Sequence, residues 1–153
     1  MCKKGKAKWP IKKLNSKQAS RGRNETSLEF DSPISNAELK VFNLGSRKNE
    51  FEDVVTVTYT DVDGNINTVT ETYTNASGDI IEVNAMTWEH LKIINADITK
   101  KKDKNDWNIF IERDDITSIT INVANGVEGS NKPAKVGIWK KLKYCTWEVP
   151  AGN

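Results

Sequence analysis

The side chains that most often carry chemistry in proteins are few in this sequence. It contains one histidine, His90, and two cysteines, Cys2 and Cys145. A Ser-His-Asp or Cys-His arrangement would have to include His90. Cys145 stands between the aromatic residues Tyr144 and Trp147, where a small apolar core residue would be expected. We interpret His90 as solvated or at the edge of the core, and we predict no catalytic residues.

Two acidic stretches were considered as metal sites. Asp61-Val-Asp63-Gly-Asn65 begins like a calcium-binding loop, but its glycine stands at loop position 4 instead of 6 and Thr72 occupies position 12. A hairpin turn explains these residues better. Arg113-Asp114-Asp115 has no second acidic cluster to match it and is interpreted as a solvated bend. The sequence also lacks the glycine-rich motifs that bind phosphates, so we predict neither a metal nor a cofactor.

The two cysteines are too few and too widely separated for a disulfide scaffold or a zinc site. The prediction is therefore a pair of reduced thiols in an intracellular compartment. No run of about 18 apolar residues is present, and no apolar segment follows the basic N-terminus as a signal peptide requires. We expect a protein of the virion, or of the host cytoplasm before assembly, that is not secreted through a signal peptide and has no membrane contact.

Charge is distributed very unevenly along the chain, although the net charge is only +2. Residues 1–24 carry +9, residues 25–98 carry −10 and residues 99–153 carry +3. This pattern indicates a basic arm, residues 1–24, attached to a single β domain, residues 25–153, whose first part is acidic. The arm has little periodicity and cannot bury enough apolar surface to fold alone. Its predicted partner-binding residues are Lys3, Lys4, Lys6, Lys8, Trp9, Lys12, Lys13, Lys17, Arg21 and Arg23.

Three roles are open for the arm. It is a solubilising tail, a segment that docks onto an acidic protein surface such as another copy of this chain, or a segment that contacts nucleic acid by neutralising phosphates. A possible second basic patch consists of Lys140, Lys141 and Lys143, beside Trp139 and Tyr144. Alternation along an ordinary two-faced strand also explains this patch.

The stretch from Phe51 to Thr74 predicts a long β-hairpin at the centre of the fold. Val and Tyr alternate with Thr over Val55–Thr60, as in a strand with two different faces. Asp63-Gly64-Asn65 provides turn chemistry, and we predict a three-residue loop with Asn65 in the left-handed region. The predicted register pairs Val62 with Ile66, Tyr59 with Val69 and Val55 with Tyr73, with a threonine ladder on the opposite face.

Further strands are predicted at Ala37–Leu44, Asp79–Asn84, Trp107–Glu112 and Ile116–Val123. Val136–Val149 is predicted as a strand or a bent pair of strands. Met86–Ile98 is either a strand, which we favour, or a short helix capped by Thr87. The number and spacing of strands predict a mainly β fold, an antiparallel sandwich or barrel of about seven strands.

These observations favour interaction over catalysis. We predict a structural assembly protein, of the kind found as capsid-accessory, head–tail connector or tail proteins in phage virions. Its partners are expected to be other protein subunits, including copies of itself. The alternative is a nucleic-acid-binding module that uses the basic arm.

Overall fold

A computed structural model describes residues 2–10, 13–15, 24–94, 106–127 and 135–147, with the backbone alone at residues 13–15, 135 and 147. This part of the chain is mainly β, built from antiparallel sheets and one helix, as predicted. In chain order the elements are β1 (Cys2–Lys8), β2 (Lys13–Asn15), β3 (Glu25–Phe42), β4 (Ser46–Arg47), β5 (Phe51–Asp61), β6 (Ile66–Thr68), β7 (Glu71–Thr74), β8 (Ile80–Val83), α1 (Trp88–Ile94), β9 (Trp107–Ile111), β10 (Ile116–Asn125), β11 (Lys135–Ile138) and β12 (Lys141–Trp147).

The 18-residue strand β3 connects the two halves of the sheet. Its first half pairs with β10, which continues to β5. Its second half pairs with β9 on one edge and with β11 and β12 on the other. The strand path β1-β12-β3-β10-β5-β4 remains open, so the described residues form no closed barrel.

Strand β10 lies at the centre of the core because it pairs on both edges. Ile119 stands between Leu28 of β3 and Tyr59 of β5, and Ile121 faces Val57. Both isoleucines are fully buried and alternate with half-buried polar residues. This alternation follows from the period of two in a strand, and it explains why the sequence predicted this element well.

The central hairpin is shorter than predicted, and its register differs by two residues. Asp61 donates its N–H to the carbonyl of Asn65 at 3.0 Å, and Tyr59 stands opposite Asn67. The loop has three residues, but they are 62–64, and the residue in the left-handed region is Gly64 (φ 83°) instead of Asn65. A shift of two residues keeps every side chain on its face, so the hydrophobic pattern could not exclude it.

The second arm of the predicted hairpin pairs with β5 through β6 only, and the next strand, β7, pairs elsewhere. Tyr73 pairs with Ile81 in a separate two-stranded sheet formed by β7 and β8, so the predicted pairing of Val55 with Tyr73 is wrong. Val55 pairs instead with Val123 on one edge and exchanges both backbone hydrogen bonds with Met86 on the other. Both edges of β5 are occupied at that point, which leaves no place for β7.

The segment after Met86 is a helix, so the favoured strand interpretation is wrong. Thr87 caps it as the alternative required, because its Oγ1 accepts the N–H of His90 at 3.3 Å. Trp88 and Leu91, three residues apart, are buried on one side. Residues 95–98 of the predicted element lie outside the described residues.

Two further expectations need correction. Residues 25–33 belong to no predicted strand, but they form the first half of β3 because β10 provides its hydrogen-bonding partner. Cys2–Lys8, expected in a free arm, form a strand that pairs along its whole length with β12. The division of the chain at residue 24 stays a prediction.

The central position of Ile119 gives a test of this core. We expect Ile119→Ala to lower the free energy of unfolding by about 2–5 kcal/mol, because a fully buried side chain would leave a cavity. Urea unfolding followed by tryptophan fluorescence measures this change. Ser118→Ala on the outer face of the same strand is the matched control, with an expected change within about 0.5 kcal/mol. Equal effects of the two substitutions would contradict the assigned faces.

Candidate binding face

The pairing of β1 with β12 brings together two basic clusters that the sequence places at opposite ends of the chain. Lys6 stands directly opposite Lys143, and Lys8 stands opposite Lys141. Lys4 follows the same alternation on β1. Residues paired across neighbouring strands project from the same side of the sheet, so these lysines share one surface.

Lys40 and Trp139 extend this surface onto β3 and the turn between β11 and β12. The ammonium of Lys143 lies 5.1 Å from the ring centroid of Trp139, and that of Lys40 lies 5.8 Å from it. The backbone N–H of Trp139 donates to the carbonyl of Lys40 at 2.9 Å, which fixes the turn beside β3. The indole remains 41% exposed. We call this surface the basic face, and it consists of Lys4, Lys6, Lys8, Lys40, Trp139, Lys141 and Lys143.

A shallow depression of about 220 Å³ lies within the basic face. Lys4, Lys6 and Lys143 line it together with Asn36 and Glu38. Glu38 stands opposite Lys143 on β3 and is the acidic residue of this depression. The surface is therefore mainly cationic. It includes the carboxylate of Glu38, where β3 meets β12, and borders that of Asp106, whose Oδ2 lies 3.9 Å from the Nζ of Lys40.

The structure distributes the predicted site residues as follows. Lys4, Lys6, Lys8, Lys141 and Lys143 belong to the basic face. Lys3 is exposed but alternates to the other side of β1, and Lys140 is exposed in the turn before β12. Lys12, Lys13, Lys17, Arg21 and Arg23 lie outside the residues whose side chains the structure describes.

Trp9 was predicted to bind a partner, and this assignment is wrong for the folded chain. Its side chain is only 2% exposed and belongs to the hydrophobic core. The backbone N–H of Trp9, directly after the end of β1, donates to the carbonyl of Lys140 at 3.4 Å. Trp9 therefore anchors the segment to the body instead of presenting an aromatic ring to a partner.

Sequence reasoning missed two features of this surface. Lys4-Gly-Lys6-Ala-Lys8 has the period-2 alternation of a strand, with small residues between the lysines, and this signal was present in the sequence. The contribution of Lys40 had no such signal. It depends on the turn between β11 and β12, which places Trp139 beside β3.

Cys2 and Cys145 form a disulfide bond, so the prediction of reduced thiols is wrong. The two residues are 143 positions apart in sequence, but their Cα atoms are 5.2 Å apart. They are diagonal neighbours because Cys145 pairs with Lys4, two residues after Cys2. Both cysteines therefore lie on the side of the sheet that carries the basic face.

The residues considered for chemistry have structural partners. His90 is half-buried, and its Nδ1 lies 3.3 Å from the hydroxyl of Tyr73. Arg113 donates to both carboxylate oxygens of Asp115, at 3.1 and 2.8 Å. This pairing raises the pKa of Arg113 and lowers that of Asp115, since each charge stabilises the other. The bend at Arg113-Asp114-Asp115 is thus closed by its own ion pair.

Asp61 caps the hairpin loop with its carboxylate. Its Oδ1 accepts the N–H groups of Asp63 and Asn65, both at 3.0 Å, and its Oδ2 accepts the side-chain amide of Asn67 at 3.2 Å. Burial raises the pKa of Asp61. The hydrogen bonds and the charge of Arg113 together lower it by more, so the net pKa is below the ordinary value. Backbone and amide donors thus occupy the oxygens that a calcium loop would present to the ion.

Within the described parts of the chain, no group of three or more His, Cys, Asp or Glu residues is arranged to hold a metal ion. In the same residues, no helix has the length and apolar character needed to cross a membrane. No family model, curated protein or solved structure matches this chain. The basic face is therefore the feature on which a functional proposal can be built.

The cap at Asp61 predicts a specific dependence of stability on pH. Because the folded-state pKa is lowered, the carboxylate stabilises the fold above its unfolded pKa of about 3.9, and this contribution is lost as the pH falls through the folded-state pKa. We expect Asp61→Asn to be less stable than the wild type at neutral pH, with the difference shrinking in acid. Urea unfolding at several pH values measures this. Asp63→Asn on the same loop is the control, and an Asp61→Asn deficit that does not vary with pH would refute the assignment.

Proposed function

We propose that this protein is a non-enzymatic assembly component that docks through its basic face onto an acidic surface of a neighbouring subunit. The observation that carries the proposal is the register of β1 with β12, which joins two basic clusters into one cationic surface. A predominantly cationic surface attracts and orients an acidic partner. Within this class, the proposed role is that of a virion protein of a phage, as a capsid-accessory, connector or tail component.

A second copy of the chain is a suitable neighbour. Residues 25–98 carry −10, and several of their carboxylates are exposed on strands and turns. Exposed examples are Glu29, Asp31, Asp63, Asp79 and Glu82. A basic face that meets an acidic region of the next copy makes a head-to-tail contact, which builds rings or filaments.

We also infer that the body is a sandwich. Buried residues from both halves of the sheet belong to one core cluster, including Leu39 and Ile109 from one half and Val55 and Ile119 from the other. Such packing leaves the outer side of the β1-β12-β3 half available for a partner.

A charge-reversal variant tests this role more cleanly than removal of residues 1–24, which would also remove β1 from the sheet. We expect the double variant Lys6→Glu, Lys141→Glu to abolish association at low salt. The two glutamates face Lys143 and Lys8, so they do not disturb the pairing of β1 with β12, but they repel the acidic partner. Light scattering at low and high salt measures the molar mass. Wild-type protein should form oligomers that dissociate as salt rises.

Lys48→Glu is the matched control, since this exposed lysine lies in the turn between β4 and β5, away from the basic face. It should retain the wild-type mass. Oligomers that form equally well from the double variant would show that the basic face is not the contact. A wild-type monomer at every salt concentration would exclude self-association and leave an external partner.

One observation favours a second candidate function, nucleic-acid binding. Trp139 is exposed and flanked by the ammonium groups of Lys40 and Lys143. An aromatic ring on a cationic track is the arrangement on which single-stranded bases stack.

For this candidate we expect Trp139→Ala to weaken the binding of a labelled oligothymidylate by about 1–3 kcal/mol, which is the value of one base stacked on an aromatic ring. Fluorescence anisotropy at low salt measures the affinity. Ile80→Ala, at an exposed apolar residue on the separate β7–β8 sheet, is the control and should bind like the wild type. An unchanged affinity in Trp139→Ala would remove stacking from the proposal.

A further inference from the structure

A covalent bond joins two neighbouring strands of the basic face, β1 and β12. Cys2 begins β1 and Cys145 lies near the end of β12, and their disulfide joins the strands on the side that carries the lysines. At the other end of β1, the side chain of Trp9 is buried in the core, and its backbone N–H donates to the carbonyl of Lys140. The strand is therefore fixed at both ends, by a packed indole and by a disulfide.

Between these two anchors the side chains of β1 oppose its pairing. Lys6 and Lys143 are directly opposite one another, as are Lys8 and Lys141, and like charges in opposite positions destabilise a strand pair. The side of β1 away from the lysines presents little apolar surface, namely the half-buried Gly5 and Ala7. In the described part of the chain, β1 pairs with β12 alone, so no second strand holds it.

A cross-link between residues far apart in sequence favours the folded pairing by restricting the unfolded chain. The sequence separation of 143 between Cys2 and Cys145 makes this one of the longest loops that the chain can close. The disulfide therefore offsets the repulsion within the β1–β12 ladder. Without it, the strand retains only its anchor at Trp9.

We propose that the Cys2–Cys145 disulfide is a redox latch that assembles the basic face. In the oxidised protein β1 is held against β12, and Lys4, Lys6 and Lys8 complete the face. Reduction by a dithiol breaks the Sγ–Sγ bond and transfers two electrons and two protons to the cysteines, while the dithiol becomes a disulfide. The strand then separates from its Cys2 end, and its three lysines leave the face. This inference rests on the proposed function, in which the face binds an anionic partner.

The latch has a reciprocal consequence. An anionic partner on the face neutralises the facing lysines and thereby favours the pairing that keeps the cysteines close together. By linkage, the factor by which oxidation raises the affinity for the partner equals the factor by which the bound partner raises the equilibrium constant for disulfide formation. Partner and disulfide therefore stabilise one another.

The central experiment compares the oxidised full chain with the same sample reduced by dithiothreitol. A fluorescein-labelled oligothymidylate serves as the polyanion probe, and its affinity is measured across a range of salt concentrations. Each lysine that contacts a phosphate of a single strand contributes about 0.7 to the slope of log K against log salt. Loss of three lysines should therefore lower the slope by about 2 and weaken binding at low salt.

Two controls separate the latch from a general loss of structure. The double variant Cys2→Ser, Cys145→Ser should behave like the reduced protein whether dithiothreitol is present or absent. Hydrogen exchange of the amides in β1 and β10 is measured in both redox states. We expect reduction to expose the β1 amides while the β10 amides stay protected, and high salt to restore part of the β1 protection by screening the lysines.

The outcomes distinguish the latch from the proposed function. Protected β1 amides in the reduced protein, or an equal salt slope in both states, would overturn the latch. Binding to neither form would count against a polyanion-binding face, and hydrogen exchange would still decide whether the disulfide holds β1. If the partner is another copy of the chain, light scattering should show oligomers that dissociate on reduction, and oligomers that persist would overturn the latch.

Discussion

The structure depends on the pairing of β3 along both of its halves. One strand provides the partner for β10 in its first part and for β9, β11 and β12 in its second part. The change of partners occurs near Asn36, which adopts a left-handed conformation with φ 51°, a region that asparagine tolerates better than most residues. There the N–H of Asn36 donates to the carbonyl of Arg113 at 2.9 Å, and the buried Ser35 hydroxyl donates to the carbonyl of Cys145 at 3.3 Å. The hydrogen bonds of this irregular point are thus provided by the bend between β9 and β10 and by β12.

Local sequence patterns were sufficient to predict the elements that bury one face. Ile119 and Ile121 in β10 alternate with polar residues, as do Trp107 and Ile109 in β9, and both strands were predicted. Asn75 likewise signalled its turn, because its Oδ1 accepts the N–H groups of residues 77 and 79. In each case the physical cause lies within a few residues of the signal.

The elements that were missed depend on distant partners. The first half of β3 is polar and exposed over much of its length, and its strand conformation follows from hydrogen bonds to β10, about 90 residues later in the chain. Likewise, the hairpin register depends on the carboxylate of Asp61, which a pattern of apolar residues does not report. Propensity alone could not choose between helix and strand after Met86. The cap at Thr87 and the burial of Trp88 against the core settled that choice.

The basic face shows the same division between local and distant causes. Each lysine cluster was visible in the sequence, but their union required the register between the first strand and the last. The disulfide could not be predicted for the same reason, since a separation of 143 residues carries no information about distance in space. Disulfides persist where the surroundings are oxidising and are rare where thiols are kept reduced.

The cross-link also determines how the protein responds to mechanical tension. A pull applied to the chain before Cys2 and after Cys145 passes directly through the disulfide and bypasses the fold between them. A chain segment with this sequence separation of 143 would otherwise extend to roughly 500 Å when drawn out. A chain closed in this way cannot lengthen between Cys2 and Cys145 under such a load while the bond is intact, and the load passes through a short, inextensible connection.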